Sequence, residues 1–151
     1  MKRQALSIVL AALFAAISGY TLAVSMPETR TAGDVSYISG GIGVAEQEYL
    51  VGRQSEFNLK LVFTLMEGNY VADVKVQLKD GSGKALLEHT APGPFFMARL
   101  PAGHYKVSAT YEGKTVTRDV RVGENRLRTE YLRWPANPKT DFPISRWTEH
   151  K

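Results

Sequence analysis

Apolar and polar residues alternate along several short stretches of this chain, and the clearest stretch covers residues 57–65. Every second residue from Phe57 to Leu65 is apolar, with Asn, Lys, Val and Thr between them. Because successive side chains of a strand point to opposite faces, this pattern predicts a strand that buries one row of side chains. Residues 74–78 and 105–111 alternate in the same way and predict two further half-buried strands.

Turn-forming residues separate these stretches. Asp80-Gly81-Ser82-Gly83 and Glu112-Gly113 are typical of hairpin turns, because glycine adopts positive φ without steric cost. Ala91-Pro92-Gly93-Pro94 predicts a loop, since proline has no N–H group for a strand ladder. The whole pattern gives about seven short strands at spacings of roughly 8–12 residues. The predicted fold class is therefore all-β, a single antiparallel β-sandwich.

The first 25 residues have the composition of a secretory signal peptide. Lys2 and Arg3 precede an apolar stretch, and Ala23-Val24-Ser25 places small residues before a cleavage site after Ser25. We therefore expect a signal-peptide helix that is removed, which leaves a periplasmic or secreted protein without a membrane attachment. The alternative is an uncleaved N-terminal anchor, although residues 5–24 are barely long enough to span a bilayer.

Charge and cysteine content narrow the classes of partner and the source of stability. Loss of Lys2 and Arg3 with the signal peptide lowers the formal net charge from +4 to about +2. The chain has no dense run of lysine or arginine, and we expect no binding to nucleic acid. It also has no cysteine. An exported domain of this kind must therefore be stabilised by its hydrophobic core rather than by disulfides.

The sequence divides into four predicted segments. Residues 1–25 form the signal peptide, and residues 26–55 form a polar leader followed by a Gly-rich segment. Residues 56–133 form the β-sandwich domain. Residues 134–151 form a C-terminal tail, because Trp134-Pro135 ends the regular pattern.

One part of the predicted sandwich resembles a known family. The quoted stretches are Ala72 to Val76, Asp80 to Lys84, and Leu100-Pro101-Ala102-Gly103-His104-Tyr105-Lys106-Val107, followed by Ala109 to Lys114 and Val120 to Val122. They resemble the carboxypeptidase regulatory-like domains, which are transthyretin-like β-sandwiches. The chain is also similar to small exported proteins of Gram-negative bacteria that carry this domain. The resemblance implies a noncatalytic accessory role, because the domain is an appendage in the enzymes that name it.

Candidate catalytic and metal-binding residues are few. His89, His104 and His150 do not have the close spacing of zinc ligands, and no G-x-S-x-G elbow is present. The C-terminus lacks the Tyr-Arg-Gly-Ser motif of the purine-pathway hydrolases that share the transthyretin-like fold. We expect no catalytic residue, no cofactor and no metal. An enzyme would need a pocket that brings together members of one set: Glu46, Glu48, His89 and His104.

Gly40-Gly41-Ile42-Gly43 is the most unusual local feature of the sequence. A glycine cluster can hold a phosphate where a strand leads into a helix, but here no Lys-Ser or Lys-Thr pair follows. We interpret it as a close-packed or flexible segment, because glycine permits a tight approach of two backbones.

Aromatic residues late in the chain are the best candidates for a binding surface. Tyrosine and tryptophan suit interfaces because they bury a large area and keep a polar group. The alternative is that they hold the tail against the sandwich. We expect an accessory or interaction module whose partner is another envelope protein, or alternatively a module that binds a glycan or small ligand. The candidate surface residues are Tyr131, Trp134, Phe142 and Trp147.

Overall fold

The structure is a computed structural model, and it describes residues 25–137 and residue 139. These residues form nine strands, one α-helix and one short 3₁₀ helix at Gln54–Glu56. The strands are β1 (Arg30–Ala32), β2 (Val35–Gly40), β3 (Leu59–Leu65), β4 (Val74–Asp80), β5 (Ala85–Ala91), β6 (Phe95–Arg99), β7 (Gly103–Tyr111), β8 (Lys114–Val122) and β9 (Arg128–Trp134), and helix α1 covers Gly43–Gly52.

The strands form two sheets. The first sheet has the order β1-β2-β6-β3-β9, and the second has the order β5-β4-β7-β8. All neighbouring strands are antiparallel except β3 and β9, which are parallel. The sequence predicted antiparallel strands throughout. It missed the parallel pair because alternation along a strand defines its faces and says nothing about its neighbours.

Both sheets contribute to one hydrophobic core. Leu59, Leu61 and Phe63 of β3 are fully buried and belong to the same cluster as Val74, Val76 and Leu78 of β4. The alternation predicted for these strands is therefore confirmed, with one change. Phe57 precedes β3 and packs in a second cluster, on the outer face of the first sheet.

Two strands and the helix lie in the segment predicted to be a leader and a Gly-rich stretch. Strand β2 sits inside the first sheet beside β6, with Tyr37 in the core and Ile38 in the second cluster. The prediction of about seven strands is thus too low. Alternation could not reveal β2, because it is covered on both faces and its apolar residues do not follow a strict two-residue period.

Helix α1 covers part of the outer face of the first sheet. Its Leu50 is 2% exposed and packs in the second cluster with Phe57 and Met97. This cover explains why β6 carries apolar residues on both of its faces. Phe96 points into the core, and Phe95 points to the outer face, where it is buried as well.

Both predicted hairpin turns are confirmed. The Asp80 carboxylate oxygen Oδ1 accepts hydrogen bonds from the backbone N–H groups of Ser82 and Lys84, at 2.9 and 3.0 Å. The Ser82 hydroxyl donates to the same oxygen. This hydrogen bond and the two backbone hydrogen bonds lower the pKa of Asp80. In the second turn, Glu112 and Gly113 both have positive φ.

Several predictions fall on residues outside the described ones. The signal-peptide helix is predicted for residues 1–25, of which only Ser25 is described, and His150 also lies outside the described residues. Within the described part of the chain, no helix is both long and apolar enough to cross a membrane.

Candidate functional site

Of the four aromatic residues predicted to form a binding surface, the structure describes two and places them on opposite faces of β9. Tyr131 on β9 is 52% exposed, whereas Trp134 on the same strand is only 1% exposed. The two residues are three positions apart and therefore point to opposite faces. Trp134 is a core residue and cannot serve as a surface platform. Phe142 and Trp147 lie outside the described residues.

Tyr131 belongs to an ordered array on the outer face of the first sheet. Val62 on β3 pairs with Tyr131 on one side and with Phe95 of β6 on the other. Lys60 on β3 pairs in the same way with Met97 of β6 and Thr129 of β9. Thr64 pairs with Arg133 of β9 and forms an isolated bridge with Tyr70. We call the nine residues the tyrosine face: Tyr70, Thr64 and Arg133 in one row, Phe95, Val62 and Tyr131 in the next, and Met97, Lys60 and Thr129 in the last.

Two tyrosines border this face, and its floor is buried. Tyr70 is 54% exposed and lies on the β6 side of β3, while Tyr131 lies on the β9 side. Val62 and Thr64 lie between them on β3 and are buried. Two strand spacings separate the flanks, which is roughly 10 Å between backbones. The arrangement is a shallow groove along β3 with an aromatic ring on each side.

The charged side chains of the tyrosine face are both cations. The Lys60 ammonium lies 4.8 Å from the centre of the Phe95 ring, and the Arg133 guanidinium lies 5.5 Å from the centre of the Tyr131 ring. Partial burial lowers the pKa of Lys60. Within the described residues neither cation has an ion pair with a carboxylate. The face thus presents positive charge and aromatic rings without a counter-ion of its own.

Neighbouring elements fix the position of these side chains. Tyr70 packs edge-on against Phe95, with 5.3 Å between ring centres. Phe95 in turn lies in the second hydrophobic cluster with Leu50 of α1 and Ile38 of β2. Helix α1 packs over the part of the outer face next to β2 and β6 through Leu50. On the β9 side of Val62, Tyr131 and Arg133 are exposed.

A second candidate region is a cavity of about 290 Å³ at the edge between β2 and β5. Glu46 and His89 both line it, together with Arg30 and Tyr37, and the residues before β1 close one side. Two members of the set expected for an enzyme are therefore brought together. The other two are not, since Glu48 is exposed on α1 and His104 lines other cavities at the start of β7.

The contacts of Glu46 and His89 favour structural roles. Glu46 Oε2 accepts hydrogen bonds from the backbone N–H groups of Gly41 and Ile42, at 2.9 and 3.1 Å, and so stabilises the turn into α1. The His89 ring packs 5.0 Å from the Tyr37 ring, and its buried Nε2 has no hydrogen-bond partner among the described residues. Burial, together with the positive charge of Arg30, lowers the pKa of His89. No group of three or more metal-ligating side chains occurs in the described part of the chain.

Sequence reasoning found one exposed residue of the tyrosine face and missed the others. Tyr70 lies between two predicted strands. Lys60 and Arg133 are charged residues at positions where a solvated side chain is the usual interpretation. The available signal was the register. Once Val62 is known to be buried on the outer face, its neighbours on β9 and β6 must share that face.

No protein-family model matches this chain. No curated protein matches it either.

Proposed function

We propose that this protein is a noncatalytic binding module of the cell envelope, built as a transthyretin-like β-sandwich of the carboxypeptidase regulatory-like kind. The fold proposal is supported by two sheets that share one core. It is also supported by the Leu100–Gly103 step, which links the buried strand β6 to the half-buried strand β7 as expected for the family.

The tyrosine face is the observation that carries the binding proposal. Tyrosine and arginine are enriched among the residues that contribute most to binding, and here two half-exposed tyrosines border one groove. The cations beside them lack acidic partners within the described residues. In this proposal a partner covers Tyr70 and Tyr131 and offers acceptors to Lys60 and Arg133.

Site-specific photocrosslinking in the intact envelope tests this proposal. A photoreactive residue replaces Thr129, an exposed member of the tyrosine face, and the matched control carries it at Thr117, which is exposed on β8 of the other sheet. We expect an adduct from position 129 that disappears when Tyr70 and Tyr131 are both changed to serine. Equal adducts from the two positions would contradict a role for this face and favour contact through other surfaces, such as the β8 edge.

A glycan is the second candidate partner, and the spacing of the two tyrosines favours it. Sugar rings present flat C–H faces that stack on aromatic side chains, and a groove with a ring on each side suits an extended chain. Titration of the purified protein with oligosaccharides, followed by NMR of the tyrosine ring signals, distinguishes this candidate from a protein partner. Unchanged tyrosine signals at saturating sugar would eliminate it.

Export is tested separately. We propose that cleavage after Ser25 releases the chain into the periplasm, as the pattern of residues 1–25 predicts. N-terminal sequencing of the protein from a periplasmic fraction is expected to begin at Met26. Recovery of the chain in the membrane fraction with residues 1–25 intact would favour the anchor instead.

A further inference from the structure

We infer that the ligand of the tyrosine face is an acidic polysaccharide, whose sugar rings stack on Tyr131 and Tyr70 and whose carboxylates pair with Lys60 and Arg133. This inference rests on the proposed function and specifies its ligand class. It depends on the register of β3, β6 and β9 and on the positions of Lys60 and Arg133 in that register.

The two cations lie on opposite sides of Val62, and each is next to an aromatic ring: Arg133 against Tyr131 of β9, and Lys60 against Phe95 of β6. Lys60 and Thr64 flank Val62 on β3, and Thr64 pairs with Arg133 while Val62 pairs with Tyr131. Residues two positions apart on a strand are about 7 Å apart on the same face. Arg133 therefore lies next to Tyr131 on the same face of β9, and the Lys60 ammonium lies on the opposite side of Val62, over the Phe95 ring. A chain that lies across β3 meets a cation beside an aromatic ring on each side of Val62.

Charge complementarity excludes a neutral sugar chain as the best ligand. The nine residues of the face contain two cations and no acid. Lys60 is partly desolvated, and burial lowers its pKa, so a carboxylate beside it replaces solvation that the ammonium has lost. Arg133 offers a planar fork of N–H donors that matches a carboxylate. A neutral glycan offers only hydroxyl acceptors to these cations, whereas a carboxylate adds an opposite charge and stronger hydrogen bonds.

The same charge count argues against a polymer of phosphates. Proteins that bind nucleic acid or polyphosphate use many basic residues that track the backbone, whereas this face offers two, one on each side of Val62. A uronate chain carries its charge next to a ring that can stack. That combination matches a face in which each cation lies beside an aromatic ring.

Calorimetric titration of the purified protein with three probes tests the inference. The probes are an oligogalacturonate, a neutral oligosaccharide of equal length and an inorganic polyphosphate. We expect the oligogalacturonate to bind most tightly and its affinity to fall as salt is added, because two ion pairs contribute. Tyr131→Ala is expected to weaken binding about tenfold or more, and Tyr131→Phe to retain most of it, since the ring supplies the contact.

Variants of the cations separate charge from fold. Arg133→Gln changes an exposed side chain and is expected to weaken binding about tenfold without lowering the unfolding temperature. Lys60→Gln gives a second test at a partly buried position. The matched control is Lys106→Gln, which removes an exposed lysine from the outer face of the second sheet.

Each remaining outcome overturns the inference in a distinguishable way. Equal binding of the neutral oligosaccharide would show that the cations do not select the ligand, and equal binding of polyphosphate would reduce the site to general charge attraction. Loss of binding in a Phe142→Ala, Trp147→Ala variant that matches the loss in Tyr131→Ala would assign the aromatic contact to the tail. If no sugar binds but position 129 still crosslinks to a protein, the acidic-glycan inference fails while the binding module stands.

Discussion

The indole Nε1–H of Trp134 donates a hydrogen bond to the backbone carbonyl of Lys114 at 2.9 Å. Trp134 ends β9 in the first sheet and Lys114 begins β8 in the second, so this bond links the edges of the two sheets. The ring itself is fully buried and packs against Phe63 and Tyr111. A residue that sequence reasoning assigned to the start of a surface tail is thus part of the core.

Replacement of Trp134 is expected to destabilise the protein strongly. Trp134→Ala should lower the free energy of unfolding by about 3–5 kcal/mol, because it empties a large buried site. Trp134→Phe should lower it by about 1–2 kcal/mol, since an aromatic ring remains but the N–H donor is lost. Urea unfolding followed by circular dichroism measures both changes. The control is Tyr131→Ala on the same strand, whose exposed side chain should change stability by less than about 0.5 kcal/mol.

The buried side-chain amide of Asn58 links three segments of the chain. Its Nδ2 donates to the carbonyl groups of Leu100 and Gly123 at 2.6 and 3.0 Å, and its Oδ1 accepts from the Leu100 N–H at 2.8 Å. Asn58→Leu preserves the size of the side chain but leaves the buried backbone groups of Leu100 unpaired. We expect unfolding to become easier by about 2–4 kcal/mol.

The control for this prediction is Asn125→Leu, because Asn125 is exposed in the loop between β8 and β9. Chemical denaturation of the two variants side by side gives the comparison. Similar stability of both would mean that the hydrogen bonds of Asn58 contribute nothing beyond those of a surface amide.

The strands that sequence predicted best are those with one solvated face. In β4 and β7, polar outward positions alternate with buried ones, and the period of two is visible in the sequence. Strand β3 kept a readable inner row, although its outer face is also largely buried. Strand β2 has no visible period, because the core covers one face and α1 the other.

The candidate site depends on information that no local pattern contains. Tyr131 was recognised as a late aromatic residue, but the last strand was expected to end near it, and the inward row of Leu132 and Trp134 was not recognised. Lys60 and Arg133 come together with it only through the parallel pairing of β3 and β9. Sequence alone identifies residue types that suit a binding surface, and the sheet order decides which of them share a face.

His89 makes the stability of the protein depend on pH. Burial and the nearby Arg30 lower its pKa. His89 is therefore protonated at a lower pH in the folded protein than in the unfolded chain, where it is protonated near pH 6.5. The contribution of the neutral ring to stability is therefore complete above about pH 6.5. It is lost progressively as pH falls toward the lower pKa of the folded state. Glu28 and Glu46 line the same cavity as His89 and Arg30.

Unfolding temperatures measured between pH 7.5 and pH 5 test this expectation. His89→Phe keeps an aromatic ring beside Tyr37 and removes the titrating group, so its unfolding temperature should fall less on acidification than that of the parent. His104→Gln removes an exposed histidine and should retain the slope of the parent. Parallel curves for the parent and His89→Phe would show that His89 is not the source of the acid sensitivity.

Gly93 occupies a position where a side chain has no room. A Cβ atom at this residue would overlap the backbone carbonyl of Gly40, at the point where the loop before β6 crosses the end of β2. Both partners are backbone, so neither can rotate away. We expect Gly93→Ala to lower the free energy of unfolding by about 1–3 kcal/mol through overpacking.

Gly123→Ala is the matched control, because no heavy atom lies within 4 Å of a Cβ built there. Since alanine also restricts the unfolded chain, the control should be neutral or slightly stabilising. The unfolding temperatures of Gly93→Ala and Gly123→Ala test this expectation. Equal stability of the two variants would mean that the β2 and β6 segments can separate without cost at this crossing.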